Sequence, residues 1–267
     1  MGSLNTKFDL TGKVAIITGG SGNLGIAHAE ALAEFGCNII LTDILVEKAE
    51  EKAKFIAEKY KVKAKGLKMD LFSKSSISEV FQNIFDEFGR INILINNAQF
   101  SCQGDTEPIE TFDQEVWNKT MEVNVTGTFL CCQQAIKYMA ERGVILNMGS
   151  IMGVIAPDRR IYDGSVYEGK QMNSPLVYTT SKAAIIGLTK YLAVDLAKRK
   201  IRVNCISPAG FESGQSELFK SKYQDKIPLG RMADKEELKG IVLYLCSDAS
   251  SFVTGHNFIL DGGMSVW

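Results

Sequence analysis

The chain is poor in the residues that metal and disulfide chemistry use. Of its 267 residues only two are histidines, His28 and His256, and its six cysteines (Cys37, Cys102, Cys131, Cys132, Cys205, Cys246) form no Cys-x-x-C pair. The common zinc spacings are therefore missing, and no metal is expected. Several cysteines lie inside apolar runs, where a thiol behaves as a small core residue, so reduced cysteines in a cytoplasmic protein are expected. There is no excess of either charge: 30 Lys and Arg oppose 31 Asp and Glu. That balance supplies no electrostatic footprint for nucleic acid, and the Lys-rich stretch 48–68 alternates with Glu at helical period, as a solvated helix face does. No apolar run reaches the length of a membrane span and no secretory h-region opens the chain, so neither a membrane nor a nucleic-acid partner is expected. Residues 1–6 match the loose N-myristoylation pattern, which is short enough that a cloning remnant or a disordered start explains it better. With no linker and no internal repeat, residues 1–267 are read as a single domain.

What the chain does contain is a series of short apolar runs: Val14 to Thr18, Asn38 to Thr42, Leu67 to Met69, Ile91 to Ile95, Val144 to Met148, Ile201 to Ile206 and Phe258 to Leu260. Stretches with helical period separate most of them. Strands apolar on both faces, alternating with helices, predict an α/β fold: one doubly wound, Rossmann-type parallel sheet with helices on both faces. Two helical stretches, from about Phe112 to Met139 and from Pro175 to Leu196, exceed what one sheet face needs to cover, so packing against other subunits is expected from them. Ser174-Pro175 predicts the start of the second, with Ser as cap and Pro as first helical residue.

The first strand runs into Thr18-Gly19-Gly20-Ser21-Gly22-Asn23-Leu24-Gly25 and then a helix. Glycines there let the backbone approach a pyrophosphate, which a helix N-terminus stabilises. The second strand ends at Asp43, where a carboxylate accepts bonds from ribose hydroxyls and repels a 2′-phosphate, so NAD(H) is favoured over NADP(H). Tyr178 and Lys182 fall four apart on one helix face.

Together these motifs resemble the short-chain dehydrogenase/reductase family across about residues 8–267. The glycine loop (Gly19, Ser21, Gly22, Asn23, Leu24, Gly25), Asp43, Asp70 with Leu71 near the adenine, Asn97 and Ala98 of Asn96-Asn97-Ala98, and Pro208 and Gly210 of Ser207-Pro208-Ala209-Gly210 match the family's coenzyme-binding positions; Tyr178 and Lys182 also touch the coenzyme. Asn124, Ser150, Tyr178 and Lys182 match its catalytic set, and Asp261-Gly262-Gly263 resembles its closing motif. The resemblance implies that Tyr178 exchanges a proton with a secondary alcohol or ketone, Lys182 lowers the tyrosine's pKa, Ser150 positions the substrate oxygen and Asn124 serves a proton relay; it also implies a homodimer or homotetramer. A lysine ammonium about 4 Å from the phenol is worth on the order of 4 kcal/mol at an effective dielectric of 20. Asn23 replaces the usual middle glycine, Gln99 replaces the glycine after Asn-Asn-Ala, and Ala209 lengthens the Pro-Gly turn, which leaves Ser213 as a candidate carboxamide contact.

Ser150 and Tyr178 are 28 residues apart, whereas a dozen or so is usual in the family. The insertion, about residues 154–177, carries Arg159, Arg160, Tyr162, Tyr167, Glu168 and Lys170. That content predicts a polar, carbohydrate-like small-molecule substrate touched by Arg159, Arg160 and Tyr162, with Gln99 opposite. A looser resemblance links the insertion and Pro228-Leu229-Gly230-Arg231-Met232 to members of bacterial surface-carbohydrate and flagellin-glycan biosynthesis. Two alternatives stand beside this reading: a 3-oxoacyl-thioester reductase, and a catalytically silent dinucleotide sensor on the same fold.

Overall fold

The computed structural model describes residues 4–167, 170–171 and 173–267. In chain order the elements are α1 (Leu4–Phe8), β1 (Val14–Thr18), α2 (Asn23–Ala33), β2 (Asn38–Asp43), α3 (Val46–Tyr60), β3 (Ala64–Lys68), α4 (Lys74–Phe88), β4 (Ile91–Asn96), α5 (Gln114–Met121), a π-helical turn (Glu122–Gly127), α6 (Thr128–Tyr138) and β5 (Met139–Met148). There follow β6 (Val166–Tyr167), β7 (Lys170–Gln171), α7 (Leu176–Asp195), β8 (Arg202–Pro208), α8 (Glu217–Gln224), α9 (Glu237–Cys246) and β9 (Asn257–Leu260). Residues 1–3 of the N-terminal pattern and Glu168 of the insertion lie outside the described residues. No helix among the described residues is long and apolar enough to cross a membrane.

Each predicted apolar run lies in or overlaps a strand of one parallel sheet ordered β3-β2-β1-β4-β5-β8-β9. Successive residues of a strand point to opposite faces, and both faces are apolar because both are covered. Ile17, Leu41 and Ile95 pack on one side against Leu32 of α2, Ile56 of α3 and Val242 of α9. Ile16, Ile40 and Leu94 pack on the other against Phe81 of α4, Cys131 of α6 and Leu192 of α7. Local signals set the helix ends. Ser73 caps α4 by accepting the Ser76 amide at 3.2 Å, and Gly89 ends it in the left-handed region at φ 70°, as a capping hydroxyl and a C-terminal glycine do.

Three predicted boundaries move. The Pro175 carbonyl accepts the first bond of α7, from the Thr179 amide at 3.1 Å, so proline is the cap and Leu176 the first helical residue; Ser174 stands outside. The long helix after residue 112 begins at Gln114 and is interrupted by the π turn. After Glu122 its sequence, Val-Asn-Val-Thr-Gly, is built of weak helix formers, and the Thr128 hydroxyl bonds back to the Asn124 carbonyl at 2.9 Å. Strand β5 starts at Met139, ahead of Val144, with a register shift against β4 between Ile91 and Ile93 and Arg142 at φ 65°.

One buried ion cluster ties three helices together on the α2 face. Glu30, 9% exposed, accepts Lys59 of α3 at 2.8 Å, Lys239 of α9 at 2.9 Å and the Tyr60 hydroxyl at 3.2 Å. Burial pushes the Glu30 carboxyl up, but the two hydrogen-bonded ammoniums outweigh it and hold it at about 2. A depressed carboxylate stabilises the fold above its unfolded pKa, and that contribution disappears as pH falls toward the folded value. Glu30→Gln is therefore expected to lose about 2 kcal/mol at neutral pH. In urea titrations its stability should fall less between pH 5 and pH 3 than that of the parent chain; parallel pH profiles would contradict this account.

Candidate active site

The loop between β1 and α2 sits where the strand order reverses, the place at which open α/β sheets form a crevice. Gly19 takes φ 61°, and a Cβ on Gly25 would lie 2.5 Å from the Gly19 carbonyl oxygen, so the loop folds tightly onto the first turn of α2. Gly25 thus shapes the loop from behind. Gly22 caps α2 without any side-chain hydrogen bond, which leaves the helix's first amide groups and its dipole available to an anion. The loop is fixed from β4: the Asn97 amide donates to the Thr18 carbonyl at 3.0 Å and to the Gly19 carbonyl at 3.0 Å. In return the Thr18 hydroxyl accepts the amides of Asn97 and Ala98, each at 3.0 Å.

At the end of β2 the Asp43 carboxylate accepts the Ser21 hydroxyl at 2.7 Å, the Ser21 amide at 3.1 Å and the Leu45 amide at 3.1 Å. Its charge stands in the wall of a cavity of about 1160 Å³ that is also lined by Gly19, Ser21, Gly22, Asn23, Leu24, Asp70, Leu71, Asn97, Ala98 and Gln99. Ser150, Tyr178, Lys182, Pro208, Gly210 and Ser213 line the same cavity. A drug-sized ligand fills roughly 300–1,000 Å³, so this one has room for a dinucleotide and a second molecule. An uncapped helix start, a glycine loop with no space for a Cβ at residues 19, 20 and 25 and a carboxylate in the same wall fit a nicotinamide dinucleotide.

Lys182 is 4% exposed; its ammonium donates to the Met148 carbonyl at 2.8 Å and lies 5.4 Å from the centre of the Tyr178 ring. Burial pushes Lys182 down to about 8, so it keeps its proton at neutral pH. For Tyr178 the direction differs from the expected lowering. Burial pushes the phenol up, and a hydrogen bond with Ser150 opposes it without reversing the net rise. The Ser150 hydroxyl also accepts the Met152 amide at 3.2 Å, which caps the short helical turn Ile151–Gly153.

Asn124 stands in the π turn and is 3% exposed. Its side chain binds the backbone of Phe100 on both sides, accepting the amide at 2.7 Å and donating to the carbonyl at 3.3 Å. It therefore holds the loop after β4, behind the cavity wall. Widened π turns recur at functional sites.

The insertion does not place its arginines at the cavity. Arg159 is exposed, and the Arg160 guanidinium closes on Asp158 with bonds of 2.9 Å and 2.7 Å, an ion pair that leaves it on the outer surface. Tyr162 is buried behind the wall, packing on Phe219 at 5.8 Å between ring centres with its hydroxyl 4.0 Å from the Met152 sulfur. Met152 and Phe219 line the cavity, together with Phe211, Gln215, Tyr223, Gln224 and Met232; of these only Met232 was named from the sequence, as part of a motif and not as a wall residue. The four-residue spacing of Phe219 and Tyr223 is the one signal that pointed there.

Comparison with known proteins agrees with this geometry. Residues 20–265 match the family model described as enoyl-(acyl carrier protein) reductase. The chain is 38% identical to 3-oxoacyl-(acyl-carrier-protein) reductase FabG of Aquifex aeolicus, covering 97% of this chain and 99% of that one. It is 34% identical to the NAD-dependent glycerol dehydrogenase of Listeria innocua, covering 97% and 96%. The crystal structure of a short-chain type dehydrogenase/reductase from Mycobacterium marinum superposes with a TM-score of 0.86 at 32% identity, covering 100% of both chains. With a glycine loop, a Tyr-x-x-x-Lys pair and a serine gathered at one dinucleotide-sized cavity, the chain belongs to the short-chain dehydrogenase/reductase family, oxidoreductases that act on CH–OH or ketone groups with a nicotinamide dinucleotide.

Proposed function

We propose that the protein is an NAD-dependent oxidoreductase that interconverts a secondary alcohol and a ketone on an uncharged polyol-like substrate. The observation that carries the coenzyme preference is Asp43: its carboxylate, fixed by Ser21 and Leu45, leaves a negative charge where a 2′-phosphate would sit. The polar character of the substrate rests on Gln99 and Gln224 along the cavity; Gln215 spends its side-chain amide on Phe211 and Ser213. Among the described residues lining the cavity the one guanidinium, Arg231, is held by Glu237 through bonds of 2.7 Å and 2.7 Å, which argues against a phosphorylated sugar.

In the oxidising direction Tyr178 accepts the hydroxyl proton of the substrate as the carbonyl forms, and in the reducing direction it returns it. The bound coenzyme supplies the hydride acceptor or donor, and in its oxidised form a positive charge. Lys182, protonated at neutral pH, steadies the phenolate. Ser150 donates to the substrate oxygen as charge develops there. Asn124 orders the loop through which the proton from Lys182 reaches solvent. Six free thiols, five of them buried, suit a reducing cytoplasm, and the exposed Phe129, Tyr191 and Val194 on α6 and α7 suit a homo-oligomer.

A second reading has its own support. The 38% relative is named a 3-oxoacyl-(acyl-carrier-protein) reductase, and Met152, Phe211, Phe219 and Met232 supply apolar wall on which a thioester chain would lie. Initial rates with NAD and a panel of polyols, measured beside NADPH with a 3-oxoacyl thioester, separate the two. Turnover of the polyols is expected; NADPH-dependent reduction of the thioester without polyol turnover would overturn the first reading.

Two substitutions test the roles. Tyr178→Phe should lower kcat by about a thousandfold while NADH fluorescence titrations stay within twofold of the parent. Asp43→Asn removes a charge that opposes the 2′-phosphate, and the NADP-to-NAD ratio of kcat/KM should rise about tenfold or more; an unchanged ratio would remove Asp43 from coenzyme selection.

A further inference from the structure

The insertion turns its arginines to solvent, and its inward contacts run to α8. Lys222 of α8 donates to the carbonyls of Asp163 at 2.6 Å and Arg160 at 3.2 Å. Just past α8, Lys226 pairs with Asp158 at 2.7 Å. The Val166 amide donates at 3.4 Å to the hydroxyl of Ser216, the residue that caps α8. Between these ties runs a file of rings, Tyr162 on Phe219 at 5.8 Å and Phe219 on Tyr223 at 5.4 Å.

The far end of the file meets the cavity. Tyr223 is 3% exposed, and its hydroxyl accepts the backbone amide of Gly210 at 2.6 Å. Residue 210 is the point at which the chain leaves the sheet: Ala209 still donates to the Leu260 carbonyl of β9 at 2.9 Å, whereas the next amide is satisfied by a side chain. An amide held by a phenol on a mobile helix would be loosely placed; here the helix is itself fastened to the insertion. A single surface ion pair contributes little, but Lys222 grips two carbonyls of one turned segment, and its neighbour in sequence carries the bond to Gly210.

We propose that the insertion is a brace for the active-site turn: Lys222 fixes α8 against residues 158–166, and Tyr223 carries that fixation to the Pro208–Gly210 turn of the coenzyme cavity. Lys222 and Tyr223 are then positioning residues. The inference rests on the oxidoreductase reading only in taking the coenzyme as the cavity's occupant.

The test pairs hydrogen exchange with coenzyme titration in Tyr223→Phe and Lys222→Met. Both variants should speed amide exchange in residues 208–213 and weaken NADH binding about fivefold, the effect of one lost hydrogen bond. Melting temperature should fall by no more than a few degrees, and exchange in the central strands should stay at parent values. NADPH is titrated in parallel, so an error in the coenzyme reading shows in the parent protein, as the wrong ligand bound or none, and is separate from any effect of the variants on exchange. Lys222→Met with parent exchange and parent affinity would overturn the brace whatever Tyr223→Phe does. So would exchange accelerated across the whole sheet, since that marks general loosening.

Discussion

The bonds from the Asn97 side chain to the carbonyls of Thr18 and Gly19 are the interaction on which the site depends. They join the ends of β1 and β4 where the sheet order reverses, and a parallel sheet has no ladder bond beyond its last residue to do so. Without this clamp the glycine loop would be a free turn above a crevice. With it, the loop, the uncapped start of α2 and Ala98 form one rigid edge of the cavity. A related polar seam continues inward, with Asn96 donating to Asn147 at 2.8 Å and Asn147 to Thr189 at 2.9 Å. The edge is thereby tied through β5 to α7, the helix that carries Tyr178 and Lys182. Buried polar groups of this kind are costly unless paired, and here the pairing links coenzyme loop to catalytic helix.

Sequence patterns carried the fold to within a few residues because a strand buried on both faces must be apolar throughout, and the runs around Ile16, Ile40, Leu94 and Ile145 have no other stable placement. Boundaries were less legible where tertiary contacts choose among local options. Ser174 is as good a cap as any serine, yet the Pro175 carbonyl takes the first helical bond. The π turn at Asn124 depends on a hydroxyl four residues on and a loop from another strand, and neither is a periodic signal.

The site divides in the same way. Ser150, Tyr178, Lys182 and the glycine loop occur in fixed spacings, and the structure brings them to one cavity. Arg159, Arg160 and Tyr162 were singled out for their chemistry alone, and chemistry does not give direction. Arg160 meets Asp158 two residues away, a local partner that satisfies it before any substrate can. The upward shift of Tyr178 has a similar lesson: proximity of Lys182 was evident in the spacing, whereas the burial that opposes it is a property of the assembled cavity.

The π turn has a consequence for how this chain tolerates change. A regular helix turns about 100° per residue, and the wider turn absorbs one extra residue between α5 and α6. The two helices are therefore out of phase by that one step. The Cys131, Cys132 and Ala135 face of α6 meets the sheet, while Asn124 is aimed sideways at Phe100. Substitutions in residues 122–127 act on single contacts. Removing one residue there would restore a continuous helix and rotate one half against the other by about 100°, so the segment behaves as a reading frame written in angle.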